Sequence, residues 1–233
     1  MSTPLLKLIN ISKRYGNFDA LSNVNVTIER GRISGLIGPN GAGKTTLMKV
    51  ILSYVQYEGV VEFNGKPNGR ETISISYIPE IINFYDYLTG EQAVKLITYL
   101  QGRNEKVVMP SFYSYAKHLG YSDYNKLIRE HSKGNLRKLM LLQALASPND
   151  ILLLDEPFSG LDPMTVEKLI DCLSDLREKT GCTILINTHL FDAAKRLCDN
   201  LYFIQNGKII DDVHSSRYQN INLCKLFVHE EES

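Results

Sequence analysis

The stretch Gly38–Thr45 carries residues suited to binding a nucleoside triphosphate. It reads Gly-Pro-Asn-Gly-Ala-Gly-Lys-Thr and matches the phosphate-loop pattern G-x-x-x-x-G-K-[ST] at every fixed position. Glycines let main-chain amides approach phosphate oxygens, and a helix that follows adds the positive end of its dipole. We expect Lys44 to contact the β- and γ-phosphates and the Thr45 hydroxyl to bind Mg²⁺. The predicted nucleotide-binding residues of this stretch are Gly38, Pro39, Asn40, Gly41, Ala42, Gly43, Lys44, Thr45 and Thr46.

A pair of acidic residues, Asp155 and Glu156, follows the apolar run Ile151–Leu154. Consecutive apolar residues indicate a strand that is covered on both faces, and parallel α/β sheets gather ligands at the carboxyl ends of such strands. Asp155 is therefore placed to hold Mg²⁺, and Glu156 to orient and deprotonate an attacking water in phosphoryl transfer. The sequence predicts hydrolysis of the bound triphosphate as well as binding.

Alternating strand and helix patterns surround these motifs and predict an α/β fold with a largely parallel core. From about residue 85 to residue 145 the spacing is helical throughout, which indicates a mainly helical insertion. Residues 212–233 are weakly patterned, and their structure is not predicted. The predicted strands are Val24–Glu29, Ile33–Ile37, Gly59–Phe63, Ile73–Ile78, Ile151–Leu154, Thr183–Asn187, Tyr202–Ile204 and Lys208–Asp211. The predicted helices are Thr45–Val55, Glu91–Leu100, Ser111–Leu119, Leu136–Ala146, Thr165–Lys179 and Asp192–Leu197.

Composition and charge exclude several classes of protein. Of the 233 residues, 43% are apolar and 22% charged, which is typical of a globular chain with a buried core. Lys plus Arg and Asp plus Glu both number 26, so a strongly basic nucleic-acid or membrane-surface binder is not expected. No secretory signal or membrane span is expected either. The spacing of the four cysteines is that of buried thiols in a reducing compartment, which predicts a cytoplasmic chain.

Taken in order, the motifs resemble those of the ATPase subunits of ATP-binding cassette transporters. In addition to the phosphate loop and the acidic pair, Tyr15 stands where that family places an aromatic ring on adenine. The segment Ser132-Lys133-Gly134-Asn135 occupies the place of the family's signature Leu-Ser-Gly-Gly-Gln. Asp162 lies in Ser-Gly-Leu-Asp, similar to the family's D-loop, and His189 stands where the family has a histidine that senses the γ-phosphate.

The resemblance extends over nearly the whole chain and implies one nucleotide-binding domain, residues 1–233. That domain would have a P-loop NTPase core, an N-terminal antiparallel β-subdomain and an inserted helical subdomain at roughly 85–145. ATP and Mg²⁺ would be its cofactors. Two subunits would pair when ATP binds, with Ser132 and Gly134 of each contacting the γ-phosphate held by the other. His189 would stabilise the transition state as a catalytic residue, and Asp162 would couple the two sites.

The resemblance also implies a partner. A transmembrane permease, encoded separately, would dock on the helical insertion and hold the chain at the inner face of the membrane. Two departures from the family pattern bear on the type of permease. Lys133 and Asn135 replace a glycine and the glutamine of the signature, a variant similar to that of bacterial drug and bacteriocin-immunity exporters. Glu80 replaces the usual Q-loop glutamine, and as a predicted Mg²⁺ ligand it adds a negative charge near the phosphates. Both departures favour an exporter.

Two other classes of protein compete with this interpretation. A soluble cassette ATPase of an assembly or repair system, working without a permease, stays open as the alternative. An unrelated phosphate-loop enzyme fits poorly, because the guanine-binding pattern Asn-Lys-x-Asp is missing: Asn125-Lys126-Leu127-Ile128 lacks its aspartate. A signature segment and a histidine after the third core strand also have no role in small-molecule kinases. Nothing in the sequence indicates the transported substrate.

Overall fold

The computed structural model describes residues 4–67, 69–81, 84–147 and 149–220, and within them the chain forms ten strands and six α-helices. The strands, in chain order, are β1 (Leu6–Tyr15), β2 (Phe18–Ile28), β3 (Ile33–Ile37), β4 (Glu58–Phe63), β5 (Lys66–Pro67), β6 (Ile75–Ile78), β7 (Ile151–Asp155), β8 (Thr183–Thr188), β9 (Asn200–Gln205) and β10 (Lys208–His214). The helices are α1 (Lys44–Ile51), α2 (Gly90–Leu100), α3 (Glu105–Leu119), α4 (Lys133–Ala146), α5 (Pro163–Thr180) and α6 (Phe191–Leu197).

The elements fall into two compact units. Unit one comprises the described residues up to Ser74 and from Thr183 onward, and unit two comprises the described residues of Ile75–Cys182. Unit one contains an antiparallel sheet in the order β2-β1-β4-β5, in which Leu8 of β1 is paired with Val26 on one side and Val61 on the other. This sheet is the expected N-terminal antiparallel β-subdomain.

Unit one also contains the parallel strands that carry the phosphate loop. β3 pairs in parallel with both β8 and β9, and β10 closes this side of the sheet antiparallel to β9. Every residue of β3 and β8 is buried, as expected for strands covered on both faces. Asn206 and Gly207, with φ of 47° and 73°, form the tight turn between β9 and β10.

Unit two combines a parallel strand pair with four helices. β6 and β7 run parallel, with Ile78 opposite Leu154, and every residue of β7 is buried. The helices of this unit are α2 to α5. The predicted α/β fold with parallel core strands and a run of helices between β6 and β7 is therefore confirmed.

Side-chain caps fix where the helices of unit two begin. The Thr89 hydroxyl accepts from the main-chain N–H of Gln92 at 3.2 Å, and the Gln92 side chain accepts from Thr89 N–H at 2.9 Å, which forms a capping box before α2. The side chains of Ser132 and Asp162 cap α4 and α5, each by accepting from one main-chain N–H of the first turn. These caps satisfy amides that a helix leaves without internal partners.

Helix α3 begins six residues earlier than predicted, at Glu105 rather than Ser111. Pro110 lies inside it, and a proline inside a helical pattern normally marks an end. The side chain of Asn104 accepts from Lys106 N–H at 2.9 Å and caps the early start. Val108 in the first turn of α3 is fully buried, so this turn packs within unit two. Packing and a cap therefore outweigh the proline.

Helix α1 ends four residues earlier than predicted, at Ile51 rather than Val55. Ser53 adopts a left-handed conformation, with φ of 59°, and the N–H of Tyr54 donates back to the carbonyl of Lys49 at 2.9 Å. This is the geometry in which helices commonly terminate. The left-handed residue is usually glycine, so the serine gave no signal for the end of the helix.

The three described cysteines are buried, as expected from composition. Cys172, Cys182 and Cys198 are buried and unbridged, and burial raises the pKa of the Cys172 and Cys182 thiols to about 12. Cys224 lies outside the described residues, as does most of the weakly patterned segment 212–233. Its described part extends β10 to His214 and adds a short 3-10 helix at Ser215–Asn220. Within the described ranges, no helix is both long enough and apolar enough to span a membrane.

Candidate functional site

The phosphate loop joins β3 to α1 and encloses the side chain of Lys44. The Lys44 ammonium donates to the carbonyl oxygens of Gly38 and Pro39, at 2.8 and 3.1 Å, and the residue is only 6% exposed. The side chain therefore folds back across the loop from the first residue of the helix. This fixes a positive charge at a helix N-terminus, where main-chain amides and the helix dipole already favour an anion.

The packing of unit one requires two of the loop glycines, independently of any phosphate. A Cβ atom on Gly43 would lie 2.6 Å from the carbonyl oxygen of Ala20, and one on Gly38 would overlap the carbonyl oxygen of Ile204. Gly41 differs, since its Cβ would meet open space and only its φ of +81° favours glycine. Ala20 and Ile204 support the loop through main-chain atoms, which explains why no sequence pattern revealed them.

His189 follows β8, directly beside the strand that leads into the phosphate loop. Ile37 and Thr188 are paired in the parallel ladder, so Gly38 and His189 leave neighbouring strands at the same edge of the sheet. The Thr188 hydroxyl accepts from Leu190 N–H at 3.0 Å and shapes the turn on which His189 sits. Unit one therefore brings His189 to the phosphate-loop edge of the sheet.

Tyr15 ends β1 and faces Phe18 across the hairpin turn. Both rings are exposed, at 43% and 61%, and the ammonium of Lys13 lies 4.8 Å from the centre of the Tyr15 ring. Exposed aromatic rings can stack on a planar base. Ala20, which contacts Gly43 of the loop, lies two residues beyond Phe18 in β2. Phe18 is a second candidate for contact with a base, and sequence reasoning missed it.

Asp155 and Glu156 lie at the carboxyl end of β7 in unit two. Asp155 is 1% exposed, and its Oδ2 accepts a hydrogen bond from the Tyr77 hydroxyl at 3.1 Å. Glu156 is 6% exposed and has a φ of +50°, a left-handed conformation that a residue with a Cβ atom seldom adopts. Such conformations cluster at functional sites, because surrounding contacts must maintain them.

The residues predicted to bind Mg²⁺ offer oxygen donors of the kind that this ion prefers. Asp155 ends β7, and Glu80 lies two residues after β6; Ile78 and Leu154 are parallel neighbours, so both carboxylates lie at one edge of unit two. Thr45, the second residue of α1, supplies a hydroxyl in unit one. The donor chemistry of these three residues fits Mg²⁺.

Arg137 of α4 is a buried functional candidate that sequence reasoning missed. It is 4% exposed, and its Nη1 donates to the carbonyl oxygens of Pro79 and Glu80 at 2.8 and 3.1 Å. Its Nη2 donates to the carbonyls of Asp155, at 2.8 Å, and Glu156. Burial lowers the pKa of Arg137, while the charges of Asp155, Glu80 and Glu156 oppose that shift. One guanidinium therefore binds the main chain after both β6 and β7.

The signature segment has local partners at Ser132 and at Asn135, which is one of its two departures from the family pattern. The Ser132 hydroxyl accepts from Asn135 N–H at 3.2 Å, and the Asn135 side chain donates to the Asp123 carboxylate at 2.6 Å. His131, just before the segment, forms a 2.9 Å hydrogen bond with the Tyr121 hydroxyl. Asn135 and His131 are therefore anchored to the segment before α4, which explains how this variant keeps its shape.

Gly134 lies close to Gly160, which is two residues before Asp162 in unit two. A Cβ on Gly134 would lie 3.7 Å from the carbonyl oxygen of Gly160, which is ordinary contact. The two carboxylate oxygens of Asp162 accept from the N–H and the hydroxyl of Thr165, at 3.0 and 2.6 Å. The hydroxyl hydrogen bond is the main reason that the pKa of Asp162 is lowered. The contribution of Asp162 to the fold is thus the cap of α5.

Comparison with known proteins extends these observations to the whole chain. A family model described as ABC transporter matches residues 21–159. The tungstate uptake system ATP-binding protein TupC of Peptoclostridium acidaminophilum is 34% identical over 205 residues, which cover 86% of this chain and 94% of that protein. The lantibiotic transport ATP-binding protein SrtF of Streptococcus pyogenes is 33% identical over 209 residues, or 88% of this chain and 89% of that protein.

Among solved structures, the ATP-binding subunit of an ABC transporter has a closely similar fold. Its TM-score is 0.85 at 28% sequence identity, and the match covers 96% of this chain and 98% of that subunit.

Proposed function

The chain belongs to the ABC transporter family of ATPases, and from this membership we propose that it powers a separate transmembrane permease, which works as an exporter. It has the cassette fold, and it is a nucleotide-binding protein and an ATPase of that family. The observation that carries the permease proposal is a group of exposed apolar residues in unit two. We call this group, Ile81, Tyr85 and Tyr87, the docking cluster.

The docking cluster lies on the segment between β6 and α2. Its three side chains are 76%, 71% and 79% exposed, and Arg129 holds its guanidinium 5.5 Å from the centre of the Tyr87 ring. Single exposed apolar residues are common, but large ones gathered on one short segment mark protein interaction surfaces. Tyr99 and Leu100, at the end of α2, add two further exposed apolar side chains in the same unit. If the chain were a soluble cassette ATPase without a permease, this cluster would have no binding partner.

Hydrolysis is assigned to residues of both units. Lys44 and the amides of the phosphate loop bind the β- and γ-phosphates, and Tyr15 stacks on adenine. Glu156 orients the attacking water and accepts its proton, while His189 donates to the γ-phosphate as charge develops. Thr45, Asp155 and Glu80 would hold Mg²⁺, which would supply neutralisation of phosphate charge.

The signature segment completes the site of a second subunit. The Ser132 hydroxyl and the amides at the start of α4 form an anion-binding surface, and Gly134 leaves room for close approach. These groups bind the γ-phosphate held by the phosphate loop of the partner. Asp162 transmits the state of one site to the other. ATP therefore favours the paired subunits, and loss of the γ-phosphate allows them to separate.

The direction of transport rests on the residues that depart from the family pattern. TupC is named for uptake and SrtF for lantibiotic transport, and their identities to this chain are almost equal. Similarity alone thus does not select a direction. The Ser-Lys-Gly signature and the glutamate at position 80 resemble the exporter type, and the anchoring of Asn135 by Asp123 supports a functional signature.

Copurification with the candidate permease tests this function. The chain is coexpressed with a membrane protein encoded beside its gene, and the complex is isolated through a tag on that protein. We expect Ile81→Asp with Tyr87→Asp to abolish copurification, because charge on the docking cluster opposes burial of its surface. Tyr54→Asp is the matched control, since Tyr54 is 68% exposed but lies in unit one. Retention of the charged double variant would refute the docking assignment. The direction of transport is tested separately. Accumulation of cargo in inside-out vesicles that depends on ATP would establish export.

A further inference from the structure

Arg137 connects the catalytic carboxylate to the segment that carries the docking cluster. We propose that Arg137 is a positioning residue for hydrolysis, which holds the main chain of Glu156 in its left-handed conformation and couples it to the segment after β6. The inference rests on the proposed role of Glu156 as the base. Arg137 acts through main-chain carbonyls and is not itself assigned any contact with the nucleotide.

The hydrogen bonds at the Glu156 carbonyl define the conformation of that residue. This oxygen accepts from Arg137 Nη2 and also from Ser159 N–H, at 3.1 Å. Two donors on one carbonyl fix the plane of the peptide that follows Glu156, and the preceding carbonyl, of Asp155, is bound by the same guanidinium nitrogen. The main chain is therefore held on both sides of the Glu156 Cα atom. This fixes the direction of its side chain despite the unfavourable φ.

Arginine is the residue type that can make this set of contacts. Its guanidinium is planar and presents five donors in a fixed geometry, so two nitrogens can serve two pairs of carbonyls at once. Lysine places all its donors on one nitrogen, and glutamine has two donors and an acceptor. Neither can reproduce the contacts to the carbonyls after both β6 and β7.

The charge of Arg137 also matches its surroundings. Burial disfavours an isolated cation, and here the carboxylates of Asp155, Glu80 and Glu156 favour it. Glu80 is the residue that replaces a neutral glutamine in the family pattern, so this chain carries one more negative charge at the site. Arg137 compensates for that charge within the same unit.

The position of Arg137 in the chain gives it access to three functional segments. It lies in α4, which begins after Ser132, and it binds the carbonyls of Pro79 and Glu80, immediately before Ile81 of the docking cluster. A permease that moves the docking cluster displaces those two carbonyls. The displacement reaches Glu156 through the planar guanidinium of Arg137, and misplacement of the base by about 1 Å is enough to change a hydrolysis rate substantially.

Substitution of Arg137 in the full chain tests the proposal by separating turnover from binding. For Arg137→Gln we expect kcat to fall roughly 10- to 100-fold, because the base is misdirected. The Kd for a fluorescent ATP analogue should stay within about threefold, because Arg137 supports the base rather than the phosphate loop that binds the nucleotide. Arg137→Lys should recover part of the loss, since it restores the charge and some donors. Arg103→Gln is the matched control: this half-buried arginine of unit two donates to Asn149, at 2.8 Å, and should keep the kcat of the wild type.

The outcomes are distinguishable from failure of the proposed function. Glu156→Gln is assayed in parallel, and normal turnover in that variant would refute the role of Glu156 itself. An inactive Glu156→Gln with wild-type turnover in folded Arg137→Gln would overturn only the present inference. An equal loss of kcat and nucleotide affinity in Arg137→Gln would also overturn this inference, because it indicates general disruption of the fold. If Arg137→Gln does not fold, Arg137→Lys decides, and a wild-type kcat in that variant overturns the proposal.

Discussion

The three glycines of the phosphate loop should differ sharply in their tolerance of alanine, although the sequence motif treats two of them alike. Gly43→Ala combines a left-handed φ of +108° with a Cβ 2.6 Å from the carbonyl oxygen of Ala20. Gly38→Ala meets the carbonyl oxygen of Ile204 but has no left-handed strain, and Gly41→Ala has left-handed strain in open space. We expect the destabilisation to be largest for Gly43→Ala.

The magnitudes follow from these differences. An alanine in the left-handed conformation costs about 1–2 kcal/mol of unfolding free energy. The reduced freedom of the unfolded chain offsets about 0.4–1 kcal/mol of this cost. Gly41→Ala should therefore lose about 1 kcal/mol of unfolding free energy. Overlap with main-chain atoms adds about 1–3 kcal/mol, so Gly43→Ala should lose about 2–4 kcal/mol of unfolding free energy. For a chain of this size that corresponds to a fall in Tm of roughly 4–16 °C, against roughly 2–4 °C for Gly41→Ala.

Calorimetric unfolding without nucleotide measures these differences directly, since no phosphate contact then contributes. A titration with a labelled ATP analogue on the same variants separates loop packing from phosphate binding. Gly41→Ala should remain close to wild type in Tm whatever its nucleotide affinity. Equal Tm losses for Gly41→Ala and Gly43→Ala would refute the assignment of Gly43 to packing against Ala20.

Two further sets of variants address the site, and a third experiment addresses the buried cysteines. Glu156→Gln should reduce Mg²⁺-dependent ATP hydrolysis by about 10²–10⁴ while ATP binding survives; turnover within threefold of wild type in a phosphate-release assay would dismiss Glu156 as the base. Lys44→Ala and Ser132→Arg should each be inactive alone, and their mixture should recover part of the hydrolysis through one intact composite site; full activity of Ser132→Arg by itself would contradict the two-subunit site. The buried Cys172 and Cys182 thiols should resist alkylation at pH 8 in the folded chain and react after unfolding, as mass spectrometry would show. Because burial raises their pKa to about 12, unfolded thiols ionise first, and stability should decline as the pH rises from about 9 towards 12.

The sequence was informative wherever function or fold depends on local pattern. Two strands were predicted to within a residue because apolar runs mark them: Ile33–Ile37 and Thr183–Asn187. The phosphate loop was located by its fixed motif. The start of α3 was not predicted, since the burial of Val108 and the cap at Asn104 outweigh Pro110 there. Propensity is a weak signal when packing opposes it.

Side chains that bind main-chain atoms far along the chain could not be predicted. Arg137 contacts the carbonyls of Pro79 and Glu156, which are 58 and 19 residues away. Carbonyl acceptors are the same in every residue, so they leave no pattern in the sequence. The anchoring of Asn135 by Asp123 was missed for a related reason, because a single polar pair has no period.

The distribution of functional residues over the two units indicates which step a permease should control. Unit one carries Lys44 and the phosphate loop, whereas unit two carries the docking cluster, Ser132 of the signature segment and Glu156. In unit two, Arg137 binds the main chain beside the docking cluster and at Glu156. A permease that acts through this unit should therefore alter the orientation of the base and the pairing of subunits, which determine kcat. The affinity of an isolated subunit for ATP depends on the phosphate loop of unit one and should change far less.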